Sequence, residues 1–246
     1  MNKTAKERLF QSVSHRPWPI PTKSWSYYQE WNHALFLHWK VEPGLLEPFI
    51  PKGLELDTYE GEAWISLVAF TMEKIRPKNL PAFSPVSNFH EINIRTYVTH
   101  NNKPGVYFLN IEAQKLVSAK LSKLLSGLPY EKAKMIRIQK NIFQEYTSNL
   151  KKKGFRFSAK YTVSNKPVPK TELDLWLTER YCLYLDRGLK TYMYEIHHLP
   201  WELLEVEMNE IQTTYRFGEI DLKNKPDRVH YSPGVKVLAW KKEKLL

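Results

Sequence analysis

One short stretch concentrates the residues that could do chemistry. Phe89-His-Glu-Ile-Asn-Ile-Arg-Thr-Tyr-Val98 alternates, so Glu91, Asn93, Arg95 and Tyr97 share one face and Ile92, Ile94, Thr96 and Val98 the other. An acid, an amide, a guanidinium and a phenol in one row have two readings. On a solvated sheet they form cross-strand ion pairs, each worth little. In the lumen of a barrel they line a polar cavity for a small anion. His38 and Lys40 share a face with Phe36, Tyr107 alternates with Val106 and Phe108, and Leu177-Thr-Glu-Arg-Tyr181 sets an acid beside Arg180. Lys40, Arg95 and Arg180 are the cations a bound anion would use, with Tyr97 and Tyr107 as neighbouring phenols.

Other chemistries lack their residues. The sequence has no Gly-rich phosphate loop, no dinucleotide fingerprint and no nucleophile elbow. The adjacent His197 and His198 would face opposite sides of a strand, and no Cys pair exists, so no metal site is expected. Cys182, between Tyr181 and Leu183, reads as a packed thiol rather than a nucleophile. No cofactor is expected.

The elements that must position this row are mostly strands. Residues 1–30 form a Pro- and aromatic-rich leading segment that takes an extended path. Ala34–Val41 alternates as a strand. Pro43–Phe49 is helix-compatible, and Leu54–Asp57 with Ala63–Phe70 reads as a hairpin. Residues 76–88 form a Pro-rich loop, and Glu91–His100 with Val106–Ile111 a hairpin around Asn101–Gly105. Glu112–Ser126 reads as an amphipathic helix ending at Gly127. Strands follow at Ala133–Ile138, Ile142–Ser148 and Phe155–Val163, then a short helix over Thr171–Thr178 capped by Thr171. A hairpin joins Tyr181–Asp186 to Lys190–His198, Glu207–Phe217 reads as a helix, and Val235–Trp240 is a last strand. Many strands, few helices and no β-α-β alternation predict a mainly β chain, with an antiparallel sheet strongly curved or closed and helices packed on it.

Composition sets the outer limits. The 246 residues include 8 Trp, 14 Tyr and 11 Phe, with 42% hydrophobic residues, which excludes a disordered chain. A single Cys excludes a disulfide scaffold. No apolar run reaches the roughly 18–20 residues of a membrane helix. One unit over residues 1–246 is expected, two compact lobes being open at this length. The basic start has no apolar centre, so a cytoplasmic location is expected. The formal charge is +11, yet residues 101–160 hold 13 basic and 3 acidic residues, so the rest is nearly neutral. Lysines dominate that stretch and read as a solvated face, with nucleic acid or a scaffold partner as the alternative.

The ordered set Phe36-Leu-His-Trp-Lys-Val41, Leu54-Glu-Leu-Asp57 with Ala63-Trp64, Glu91-x-Asn93-x-Arg95-Thr-Tyr-Val98, Gly105-Val-Tyr-Phe108, Leu128-Pro-Tyr130, Thr178-Glu-Arg-Tyr181 and His198-x-Pro200-Trp201 resembles the YqjF-like family of uncharacterised bacterial proteins. The likeness spans about residue 25 to Trp240. It implies the fold of acetoacetate decarboxylase, a cone-shaped antiparallel β-barrel with flanking helices. That enzyme uses a lysine imine, its amine activated by an adjacent cation and an apolar setting. Here Gly127-Leu-Pro-Tyr-Glu131 places Tyr130 where the imine lysine would stand and Glu131 beside it. A phenol forms no imine. The resemblance further implies that Glu91 matches the active-site glutamate and Lys40 an active-site arginine, while a second glutamate has no match around Ser66 and Leu67.

The expectation is therefore a barrel cavity that binds a small organic acid or carbonyl compound, with Glu91 and Tyr130 as acid–base residues and Lys40, Arg95, Arg180, Tyr97 and Tyr107 around the ligand. Tyr130 would stabilise a developing enolate by hydrogen bonding. A decarboxylase with a relocated lysine, Lys132 or Lys134, is the alternative. Neither nucleic acid nor a membrane is an expected partner, and a homo-oligomer is compatible with the pattern.

Overall fold

A computed structural model of the chain describes residues 9–115, 130–188 and 190–245. Its strands are β1 (Tyr27–Val41), β2 (Glu55–Leu56), β3 (Ala63–Pro77), β4 (Phe89–His100), β5 (Lys103–Ala113), β6 (Tyr130–Lys132), β7 (Lys134–Lys140), β8 (Phe143–Leu150), β9 (Phe155–Pro167), β10 (Cys182–Arg187), β11 (Lys190–His197), β12 (Leu204–Thr213), β13 (Arg216–Phe217), β14 (Ile220–Asp221), β15 (Arg228–Ala239) and β16 (Glu243–Lys244). Among the described residues, short helices include α1 (Pro43–Leu46), α2 (Ser84–Ser87) and α3 (Glu172–Thr178). Mean helix content is low because β-branched and aromatic residues recur at period two through most of the chain.

Strand pairing runs in a circuit. β15, β1, β3, β4 and β5 are successive antiparallel neighbours. β5 meets β10 in a short parallel seam, Val106 opposite Leu183 and Tyr107 opposite Tyr184. β10 turns into β11, and β11 returns to β15 through Ile196 opposite Ala239 and His197 opposite Leu238. Beyond β15 the sheet continues through β12, β9, β8 and β7. β1, β3 and β4 are consequently buried on both faces. Leu35, Leu37, Ile65, Leu67, Ile92 and Ile94 pack with Tyr146, Phe157 and Tyr161 of β8 and β9. On the other face Ala34, Phe36, Val68 and Phe70 pack with Ile196, Trp201 and Val237. Burial of each large apolar side chain contributes about 1.5–3 kcal/mol.

Several expectations change. The sheet is mixed, since β5 pairs in parallel with both β10 and β6. The stretch expected as a helix over Glu207–Phe217 is strand β12, in which Val206, Met208 and Ile211 pack on the core while Glu205, Glu207 and Glu210 point outward. Helix-favouring Glu, Met and Gln are overridden there by pairing with β9. The expected helix over Glu112–Ser126 begins as strand, because Glu112 and Ala113 complete β5, and residues 116–126 lie outside the described residues. Leu54–Asp57 does not form a hairpin with Ala63–Phe70. Its strand β2 pairs with β4 instead, Glu55 opposite Thr99 and Leu56 opposite Val98.

The β4–β5 turn is tighter than the five residues Asn101–Gly105. Asn101 (φ 49°) and Asn102 (φ 58°) alone make it, a left-handed pair that asparagine tolerates. Gly105 then serves the seam rather than the turn: a Cβ there would lie 2.5 Å from the Cys182 carbonyl oxygen and 2.7 Å from the Tyr184 ring. Gly105→Ala is expected to force β10 off β5 and cost about 1–3 kcal/mol. Urea unfolding of the two proteins checks this; an unchanged midpoint would show that the seam gives way without cost.

Candidate functional site

The alternation of β4 aims its polar row into the circuit. Glu91, Asn93 and Arg95 are all buried, at 4%, 5% and 7% exposure. They face a cavity of about 70 Å³. Phe36 of β1 and Val68, Phe70 and Met72 of β3 supply one wall, and Trp31, Tyr194 and Trp201 another. Tyr130, first residue of β6, joins the site because the parallel pairing of β6 with β5 sets it opposite Ile111. Its hydroxyl donates to Glu91 Oε2 at 3.1 Å.

The electrostatics of the site follow from burial. Glu91 has no cation against it among the described residues, and loss of water pushes its carboxyl up to about 8, although hydrogen bonds from Tyr130 and Asn93 favour the ionised form. It is a neutral acid below that pH. Burial, and then the adjacent Glu91, hold the Tyr130 phenol well above its ordinary range. Burial also lowers Arg95, with the Tyr97 hydroxyl partly offsetting the effect. The Arg95 guanidinium has no carboxylate partner among the described residues, and its charge lies 5.8 Å from the Phe36 ring centre. Its Nε and the Asn93 Oδ1 are buried without a hydrogen-bond partner. A donor and an acceptor are thus left unpartnered on two residues that line one cavity.

Glu91, Arg95 and Tyr130 therefore share one cavity, whereas the other residues singled out in the sequence lie elsewhere. Lys40, at the end of β1, is exposed with its ammonium 5.8 Å from the Trp64 ring centre. Arg180 is paired with Asp57 at 2.5 Å and stacks over Trp176 and Tyr97. Tyr97 is fully buried, bonded to Ser66 and to the Leu177 carbonyl. Tyr107 donates to Asp186. Asn93 is a cavity residue that the alternation already placed in the row. The aromatic wall from Trp31, Tyr194 and Trp201 had no local signal, because those rings come from segments far apart in the chain. No group of three or more His, Cys, Asp or Glu among the described residues is arranged for a metal ion, and no helix among them is long and apolar enough to cross a membrane.

A family model described as an uncharacterized conserved protein, DUF2071, matches residues 28–236. The chain belongs to this family. It is 36% identical over 225 residues to the uncharacterized protein YqjF of Bacillus subtilis (strain 168), covering 90% of this chain and 93% of that one. In fold, the family member is similar to acetoacetate decarboxylase from Legionella pneumophila, with a TM-score of 0.60, 11% identity and 96% and 94% of the two chains covered. It is also similar to the enduracididine biosynthesis enzyme MppR complexed with pyruvate, with a TM-score of 0.57, 12% identity and 92% of each chain covered. At such identities the likeness concerns architecture, and the fold is acetoacetate decarboxylase-like.

Burial of Glu91 has a thermodynamic signature. Its carboxyl ionises near 4.5 when unfolded and near 8 when folded. Between those values the folded chain binds the extra proton, so stability falls as pH rises through the window and levels off above it. Glu91→Gln carries no such proton and should gain stability relative to wild type from about pH 5 to about pH 9. Urea midpoints of both proteins at the two ends check it; parallel pH dependences would mean that Glu91 is ionised in the folded chain.

Proposed function

We propose that the protein binds a small monocarboxylate bearing a carbonyl group and catalyses keto–enol exchange on it. The observation that carries this reading is that Arg95 and Asn93, whose Nε and Oδ1 are buried without a partner, line the same cavity as the Glu91–Tyr130 pair. Arg95 takes the carboxylate, for which a guanidinium has matching donors. A water-sized sphere needs roughly 10–15 Å³ of such volume, so the cavity suits a ligand of only a few heavy atoms.

In the reaction, ionised Glu91 accepts a proton from the carbon next to the carbonyl. The Tyr130 hydroxyl hydrogen-bonds to the enolate oxygen as charge collects there, an oxyanion-type role. Return of the proton from Glu91 restores the ketone, and no other bond is made or broken. A carboxyl that titrates near neutrality is suited to both halves of this exchange. Decarboxylation through a lysine imine is not part of the reading, because Tyr130 has no amine and no lysine lines the cavity among the described residues.

The test is deuterium exchange into the methyl group of pyruvate, followed by proton NMR in heavy water. Wild type should accelerate exchange, with a rate that rises as Glu91 ionises through about pH 8. Tyr130→Phe should lose on the order of 10²-fold in rate, and Glu91→Gln about 10²–10⁴-fold. Arg95→Met should abolish saturation by pyruvate, while Lys40→Ala leaves it unchanged. Equal responses of Glu91→Gln and Lys40→Ala would overturn the assignment. Borohydride with acetoacetate should leave no lysine adduct; an adduct on any lysine would restore the decarboxylase reading.

A further inference from the structure

Beneath the cavity the barrel interior is polar where an apolar core would be expected. Strand register places His38 opposite Ser66 and Ser66 opposite Arg95, while His230 of β15 lies opposite Phe36. The Phe36 ring stacks nearly parallel on His38, with centres 6.1 Å apart, and so divides the cavity from what lies below. The Tyr97 hydroxyl is 2.6 Å from Ser66 Oγ, and Ser66 Oγ is 2.6 Å from His38 Nδ1. His38 Nε2 is 3.1 Å from His230 Nδ1, and His230 Nε2 is 2.7 Å from Asp174 Oδ1. Tyr97, Ser66, His38, His230 and Asp174 are all buried. At the far end Asp174 also accepts from Arg228 at 2.9 and 3.1 Å.

A count of protons fixes the direction of this chain between Ser66 and Asp174. Burial lowers both imidazoles, so each is neutral and has one donor and one acceptor. Asp174 only accepts, so His230 donates to it through Nε2. His230 Nδ1 must then accept from His38 Nε2. His38 Nδ1 in turn accepts the Ser66 hydroxyl proton, leaving Ser66 Oγ to accept from Tyr97, whose single proton is shared between Ser66 Oγ at 2.6 Å and the Leu177 carbonyl at 3.0 Å. The Tyr97 oxygen remains open on its acceptor side, and the Arg95 guanidinium lies against it. From Ser66 onward every donor points toward the buried Asp174 carboxylate, and at Tyr97 the proton is divided between this chain and the Leu177 carbonyl. Such aligned chains polarise one another.

We propose that Tyr97, Ser66, His38 and His230 form one polarised hydrogen-bond chain that couples Arg95 to Asp174 and positions the Arg95 guanidinium for anion binding. It rests on the reading of Arg95 as the anion-binding group. The chain anchors Arg95 from below without a carboxylate against it, and Arg95 lines the cavity with its Nε unpartnered. Tyr97, His38 and His230 are positioning residues, since none lines the cavity. The bland role for the same residues is to dock α3, through Asp174 and through the Tyr97 bond to the Leu177 carbonyl.

NMR on the full chain labelled with ¹⁵N-arginine separates the two roles. The Arg95 Nε–H resonance is identified by its loss in Arg95→Lys, and Lys40→Ala sets the spread for a remote change. His230→Leu, several links from Arg95, should move that resonance beyond the spread. His230→Gln, which keeps a donor and an acceptor, should bring it part of the way back. Leu173→Ala loosens the packing of α3 but removes no link, so it should lower the melting temperature and leave the resonance in place. The proposal is overturned if His230→Leu leaves the resonance within the spread, or if Leu173→Ala moves it as far. Asp174→Asn gives a second reading should His230→Leu fold poorly. Calorimetry with pyruvate should show about tenfold weaker binding in His38→Gln and His230→Leu, the size of one lost hydrogen bond to a charged group. If wild type does not bind pyruvate while the resonance still follows the chain, positioning stands and the ligand reading falls.

Discussion

A guanidinium taken out of water costs several kcal/mol unless its charge and donors are met. Arg95 is in that position, and much of the surrounding architecture follows from it. It cannot lean on Glu91, the acid of its own row. The two are four residues apart on one strand face, about 13 Å along the backbone. At about 10 Å and an effective dielectric of 20, attraction between them is worth roughly 1.7 kcal/mol, little more than one pKa unit. Desolvation of Glu91 is larger, since it carries the carboxyl from 4.5 to about 8. Burial thus favours the neutral acid at Glu91, while Arg95 keeps no carboxylate against it among the described residues.

The same constraint explains how the interior is partitioned. β1, β3 and β4 have core on both faces, so each polar side chain on the inner face needs a partner inside the circuit. The partners come from elements that local sequence does not connect: His230 from β15, and Asp174 from α3. α3 is a seven-residue helix, too short to persist alone. Its capping box, in which Thr171 and Asp174 exchange hydrogen bonds, holds the Asp174 carboxylate in place, and Arg228 and His230 add further donors. These bonds keep Asp174 below its ordinary range despite burial. One carboxylate thus caps a helix, pairs with a surface arginine and terminates a chain that begins at the cavity.

Legibility in the sequence divides along the same line. Alternation made the β4 row visible, paired Phe36 with His38 on one face, and gave Glu91 and Arg95 a common direction. Thr171 was readable as a cap because capping is local. What alternation left open was whether the row met solvent or a lumen, since that depends on the seams between β5 and β10 and between β11 and β15. Those seams join residues about 80 and 40 positions apart and are only two residue pairs long. Lys40 is instructive in the other direction. It shares the face of Phe36 and His38, yet two residues further along β1 the strand has left the enclosed part of the circuit. Position in a motif carried its charge over, and position along the strand removed it from the cavity. In β12 the glutamates favour a helix and mask the strand, although Leu204, Val206 and Met208 alternate.

Tyr130 sets a phenol, rather than an amine, against Glu91. An amine beside Glu91 would draw it toward the ionised form and become a pair of opposite charges. Neutralising that amine needs a second cation next to it, and the following residue here is Glu131, bound to Lys153 at 2.9 Å. The phenol has the opposite consequence. It stays protonated beside Glu91, so its hydrogen bond is weak while the acid is neutral and becomes charge-assisted once the acid ionises. That bond pulls the Glu91 carboxyl down while burial pushes it up, and the two together leave it near 8. A phenol can also turn the same proton toward an oxygen on a ligand that is gaining charge. On the proposed reading the pair moves one proton and stabilises one negative oxygen, the requirements of an enolate rather than of an imine.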